Sequence, residues 1–254
     1  MKIVRSLSFL LIPVLLSGCA NVYFPNEIQT PSVKKREMEA SLTTGSNLLS
    51  LSAATSPVDH LVVTLSGGYV YNATSTTVTV LNETTETLVE RQQLMADVGI
   101  GGYIESPEGH ARVTLIGGYA FGRSDLDNDI IGPPDVDQFD IDTRFDRPYG
   151  LLIFQGATSP SRTGTTFTGG FAVRAGWFEF SRYDVRDEGI LEDDPIPAPR
   201  WKYEPALFMK LSFSFLEDLT LQVKGQFAPN FPQFPAEDYG YRPYLLFGGL
   251  GVLW

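Results

Sequence analysis

Stretches of alternating polarity recur along this chain, and the connections between them alternate between short and long. The stretches cover 37–45, 48–55, 60–72, 92–105, 111–122, 148–157, 167–183, 201–214, 219–228 and 242–254. Short links at 56–59, 106–109, 159–164 and 216–218 take turns with long ones at 73–91, 123–147, 184–200 and 229–241. Only the first of the long series, 45–47, is brief. In LTLQVKGQF, Leu219, Leu221, Val223, Gly225 and Phe227 alternate with Thr220, Gln222, Lys224 and Gln226. A period of two places such sets on opposite faces of a strand. Most stretches are near the roughly 9–11 residues that a tilted strand needs to cross hydrocarbon. Short turns at one end and long loops at the other are the pattern of a transmembrane barrel. The expected fold is all-β, an antiparallel up-and-down barrel of about ten strands spanning 37–254. The sixth stretch, YGLLIFQGA, is apolar on both faces and fits the pattern least well.

The C-terminus ends on Trp254 with no polar tail. Tyr244, Leu246, Gly248, Leu250, Val252 and Trp254 share one face of the last strand, opposite Leu245, Phe247, Gly249, Gly251 and Leu253. Gly249-x-x-Val252-x-Trp254 resembles the C-terminal signal of outer-membrane barrels, which the barrel assembly machinery reads. With both termini on the periplasmic side, all four short turns also lie there. Tyr69, Tyr71, Tyr119, Phe121, Trp177 and Phe227 then fall toward the outer ends of up-going strands, and Tyr149, Trp201, Tyr203 and Tyr244 near the starts of down-going ones. That is one depth, where amphipathic rings favour the interface.

At the other end, MKIVRSLSFLLIPVLLSGCA has a basic start, a short apolar core and a small-residue terminus, the pattern of a secretory signal over 1–18. Leu16-Ser17-Gly18-Cys19 resembles the bacterial lipobox, which implies lipidation of Cys19 by the lipoprotein processing machinery. The Ala20 that follows implies sorting to the outer membrane. Residues 19–36, with Pro25, Pro31 and Lys34-Lys35-Arg36, read as a lipidated tether. Cys19 is the sole cysteine, so an intrachain disulfide is excluded. Formal charge is −11, and loss of Lys2 and Arg5 with the signal takes it to −13. Such a chain repels nucleic acid.

If the apolar faces meet lipid, Glu37, Glu39, Asp97, Arg112, Arg174, Glu204, Lys210 and Lys224 face inward. Four acids against four bases predict a neutral network filling a small barrel, because buried charges persist only when paired or hydrated. The alternative is a narrow path for ions or small solutes along the same residues. A periplasmic β-sandwich lipoprotein, with the apolar faces as its core, is the structural rival.

Catalysis finds little support. His60 and His110 both adjoin short turns, away from the outer rim, and neither has a nucleophile nearby in sequence. Segment 123–147 carries eight aspartates, and Asp125, Asp127 and Asp129 imitate the start of an EF-hand loop. Ile130 and Val136 stand where that motif needs Gly and Glu, so the motif fails. Weak Ca²⁺ or Mg²⁺ binding at these acidic loops is the most that the pattern supports, and no other cofactor is implied. Blocks of like charge are ordinarily solvated.

Over most of the mature chain, YFPN, KKREMEASLTTG, DHLVVTLSGGY and EPALFMKLSFSFLEDLTLQVKGQF resemble the tether, first strands and penultimate hairpin of outer-membrane barrel lipoproteins found mainly in Bacteroidota. The resemblance implies location and fold, and no known activity. The external ligand, if one exists, is not named by any of these features.

Overall fold

The computed structural model describes residues 27–45, 48–80, 83–131, 139–161, 164–187, 190–192, 196, 198–216, 219–229 and 244–254. The strands are β1 (Met38–Gly45), β2 (Leu48–Thr55), β3 (Leu61–Val80), β4 (Glu83–Glu105), β5 (Ala111–Ile131), β6 (Phe139–Ala157), β7 (Thr165–Asp187), β8 (Ile190–Glu192), β9 (Arg200–Leu216), β10 (Leu219–Pro229) and β11 (Tyr244–Leu253). Neighbours pair antiparallel, β9 follows β7 in the sheet, and β1 pairs β11 to close the ring. The result is a closed ten-stranded barrel, with three-residue β8 hydrogen-bonded to the far end of β7. Closure pairs the β1 and β11 edges with each other, so along the ring itself no strand is left open.

The alternation read from the sequence matches the faces. Leu221, Val223 and Leu250 are 39%, 49% and 68% exposed on the outside, with no second layer over them among the described residues. Gln222 and Gln226 are buried inside, as are Leu245 and Phe247 on the last strand. Tyr69, Tyr71, Tyr119, Phe121, Trp177, Trp201, Tyr203 and Phe227 all point outward. Tyr149 does not: its ring is buried in the lumen, on the same face as Leu151 and Ile153. Leu152 and Phe154 form the outer face of that strand. With apolar residues on both sides of β6, polarity alone could not set its register. The side chain of Tyr244 lies outside the described residues.

The described parts of two expected loops are strands. Residues 73–80 and 83–91 continue the β3–β4 ladder from Asn72↔Arg91 to Val80↔Glu83, and 123–131 and 139–147 extend β5 and β6 in the same way. Strands β3 to β7 therefore run 19 to 23 residues, about twice a membrane crossing. The Thr- and Val-rich run STTVTV favours strand with or without lipid. Across the extensions, Asp125, Asp142 and Asp184 form one cross-strand row and Arg123, Arg144 and Arg182 the next. A register shift at Arg144/Phe145 turns Arg182 and Asp184 outward to join these rows. Asp142 meets Arg123 at 3.4 Å and Arg182 at 3.5 Å. Partial burial, helped by the neighbouring Asp142, raises the Asp125 carboxyl above its usual range against the pull of Arg123. These aspartates thus sit in a charge ladder instead of a solvated loop.

Candidate functional site

The lumen is filled by the protein's own N-terminal segment. From Glu37, beside the short turns, the chain folds back into the barrel, and Glu27, Ile28, Gln29, Thr30 and Val33 are all buried there. Ile28 and Val33 pack with Tyr103, Ile116, Tyr149, Ile153 and Phe208 of the wall. The wall's backbone groups are already used in the ladder, so the segment's own must be met by side chains. Lys210 donates to the Thr30 carbonyl, and Arg112 to that of Val33 at 2.9 Å. The Ser32 N–H donates to Glu39 Oε2 at 3.0 Å. The Gln226 amide, with its nitrogen toward the Ile28 carbonyl, meets both backbone groups of Ile28 at 3.3 Å. Pro31 has no N–H to satisfy. What reads in sequence as a tether is, over 27–33, a plug.

Two ion-pair centres hold the wall to this plug and to itself. In the first, Glu39 of β1 accepts from Lys210 at 3.0 Å and from Lys224. In the second, Glu204 of β9 accepts from Arg147 at 2.7 Å and Arg174 at 2.5 Å. Asp97 lies beside that second centre, 3.9 Å from Arg174, and accepts from Ser66 at 2.6 Å, Tyr149 at 3.2 Å and plug residue Gln29 at 3.4 Å. The guanidiniums of Arg147 and Arg174 stand 5.9 and 5.7 Å from the Tyr149 ring centroid, within cation–π range. Arg112 pairs with Glu105 and lies 4.0 Å from the centre of the Tyr103 ring.

The structure places Glu39, Asp97, Arg112, Arg174, Glu204, Lys210 and Lys224 inside. Glu37 sits at the mouth, accepting from the Lys34 N–H at 2.6 Å. The network is not the balanced four-against-four set. Buried Arg91, Arg147 and Lys202 add three bases, and plug residue Glu27 adds an acid. The alternation Trp201-Lys202-Tyr203-Glu204 carries the signal for Lys202, whereas Arg91 and Arg147 fall in segments whose strand character the crossing length conceals. Farther along the lumen, Met95, Phe145, Phe178 and Phe180 make a separate apolar cluster, with Phe145 and Phe178 stacked at 5.0 Å.

Packing around Tyr149 is tight. A Cβ at Gly118 would stand 2.4 Å from its Cζ and 2.6 Å from the Val98 carbonyl. Gly118→Ala should lower stability by about 1–3 kcal/mol in urea unfolding, since overpacking forces such rings to move. Gly117→Ala, with nothing within 4 Å, should change it by less than about 0.5 kcal/mol.

The histidines lie at the short-turn end. His60, at φ 64°, donates from Nδ1 to the Tyr103 carbonyl at 3.1 Å. His110 Nε2 is 3.3 Å from Ser159 Oγ, a pairing that sequence spacing does not suggest. At the same end, the hydrogen bond and charge of Asp59 raise the ammonium pKa of Lys35. No cluster of three or more metal-ligating side chains occurs among the described residues. Asp125 and Asp127 instead lie on the outer face of the β5 extension, and the side chain of Asp129 is outside the described set. Cys19 is outside it too. Of the assembly-signal residues, Trp254 points outward, Val252 is half-buried and Gly249 packs against the Leu42 carbonyl, while the Trp254 backbone N–H and C=O both pair with Met38.

No protein-family model and no curated protein matches this chain. Among solved structures, it is similar to the translocator domain of autotransporter NalP from Neisseria meningitidis, at 9% identity over 86% of each chain with a TM-score of 0.42.

Proposed function

We propose that this chain is an integral outer-membrane barrel lipoprotein that its own N-terminal segment plugs, with a structural or surface-interaction role. The observation that carries the reading is the uncovered apolar outer face of a closed barrel whose polar side chains point inward. Water would not tolerate so large a continuous apolar surface, and hydrocarbon matches it. In this reading residues 1–18 are a signal peptide and Cys19 carries the lipid. The short turns and the C-terminus face the periplasm, and the β3–β7 extensions stand outside the cell. Seven residues, 20–26, separate Cys19 from Glu27, a reach of about 26–29 Å when extended. The barrel presents its hairpins rigidly to an external partner or to surface lipid, and catalysis forms no part of this role. A conducting path is the weaker reading, because cavities beside the plug measure about 10 Å³, room for one water.

Single cysteines at Asp127 and Glu108 test the orientation. An impermeant thiol reagent on intact cells should label Asp127→Cys and spare Glu108→Cys. Equal labelling, or labelling at Glu108→Cys alone, contradicts it.

A further inference from the structure

Below the plug, a cavity of about 330 Å³ opens at the short-turn end of the lumen. We propose that it is a binding site for a neutral, polyhydroxylated ligand, a sugar of one or two rings. The volume falls in the range of small-molecule sites, which are common in barrel mouths.

One wall of the cavity is unusual in its chemistry. Neighbouring strands β7 and β9 offer the short hydroxyls Thr166, Thr168, Ser212 and Ser214, and the wall is flanked by Gln155 on β6 and Gln222 on β10. No charge from β7, β9 or β10 lines it. The charges at the mouth stand opposite, where Arg112 is already committed to Glu105 and to the Val33 carbonyl. Gln222 is only 2% exposed, yet its amide oxygen has no partner among the described residues, and the same holds for that of Gln155. A buried acceptor without a donor costs free energy, so each amide favours a ligand or solvent that brings O–H or N–H groups. A carboxylate or a fully ionised phosphate ester brings none, and an apolar ligand leaves both amides unmet. Hydroxyls that both donate and accept suit a wall of Ser, Thr and Gln.

Two sources share this chemistry, a free sugar and the end of a glycan chain. The neutral, fully N-acetylated forms of chitobiose and chitotetraose, titrated against the full-length protein in bilayer nanodiscs by saturation-transfer NMR, separate them. Saturable binding is expected, weakened about tenfold by Gln222→Leu, the size of one lost hydrogen bond. Stronger binding of chitotetraose supports the chain end, and stronger binding of chitobiose the free sugar. Leucine removes the amide without leaving a buried polar atom, and heat-modifiable migration on gels checks that the barrel is intact. Absence of saturable binding for both sugars, or equal binding by an intact Gln222→Leu protein, overturns the proposal and leaves the cavity to water. Neither result touches the membrane reading, which this site does not require.

Discussion

Glu39→Ala should lower the stability of the barrel by about 3–5 kcal/mol, the cost of breaking a buried ion pair from one side. The carboxylate accepts from Lys210, Lys224 and the Ser32 N–H, so its loss leaves two ammonium groups in the lumen and releases one anchor of the plug. Urea titration in lipid vesicles reads the first effect. The second is read by a cysteine at Ser32, which should react with a small thiol reagent much faster in the Glu39→Ala background than with Glu39 present. Glu39→Gln keeps an acceptor for the Ser32 N–H, and should restore slow labelling more fully than stability. A Glu39→Ala protein as stable as the parent, with equally slow labelling, would mean that the ion-pair centre does not hold the plug.

A charge on the outside should cost nearly as much. Leu115 is exposed on β5, below Tyr119 and Phe121. Leu115→Arg there should destabilise by about 2–4 kcal/mol, the penalty for a cation near the bilayer midplane. Asp127→Arg, on the same face but beyond the proposed lipid band, should change stability by no more than about 0.5 kcal/mol. Urea unfolding in vesicles of one thickness measures both. Equal effects at the two positions would argue that both face the same solvent.

The faces of the wall were legible because the closed barrel has an apolar outside and a mostly polar inside, and QLMADVGIGGYI records both in alternate residues. Val98, Ile100 and Ile104 are exposed outside while Met95, Asp97 and Tyr103 are buried inside. Strand ends were harder to read. The length of a membrane crossing sets no upper bound on a strand, and the ladder beyond Tyr71 is rich in β-branched residues that favour strand in any solvent. The plug left no periodic trace. EIQTPSV, at 27–33, is held by Lys210 and Arg112, about 180 and 79 positions away, and by side-chain bonds to backbone instead of strand pairing. Tyr149 escaped for another reason. Its neighbours Leu151 and Leu152 are both apolar, so either face could have been the inner one until the pairing of β6 with Gly118 of β5 set the register.

Spin labels placed one at a time from 219 to 227 on β10, in protein reconstituted into vesicles, report which solvent each side chain meets. Oxygen should broaden labels at Leu221, Val223 and Phe227 strongly, and a water-soluble nickel chelate should hardly affect them. Labels at Gln222 and Gln226 should be shielded from oxygen. If the chelate reached Leu221 and Val223 as readily as oxygen does, or if the two sets of positions behaved alike, hydrocarbon would not be the solvent of this wall.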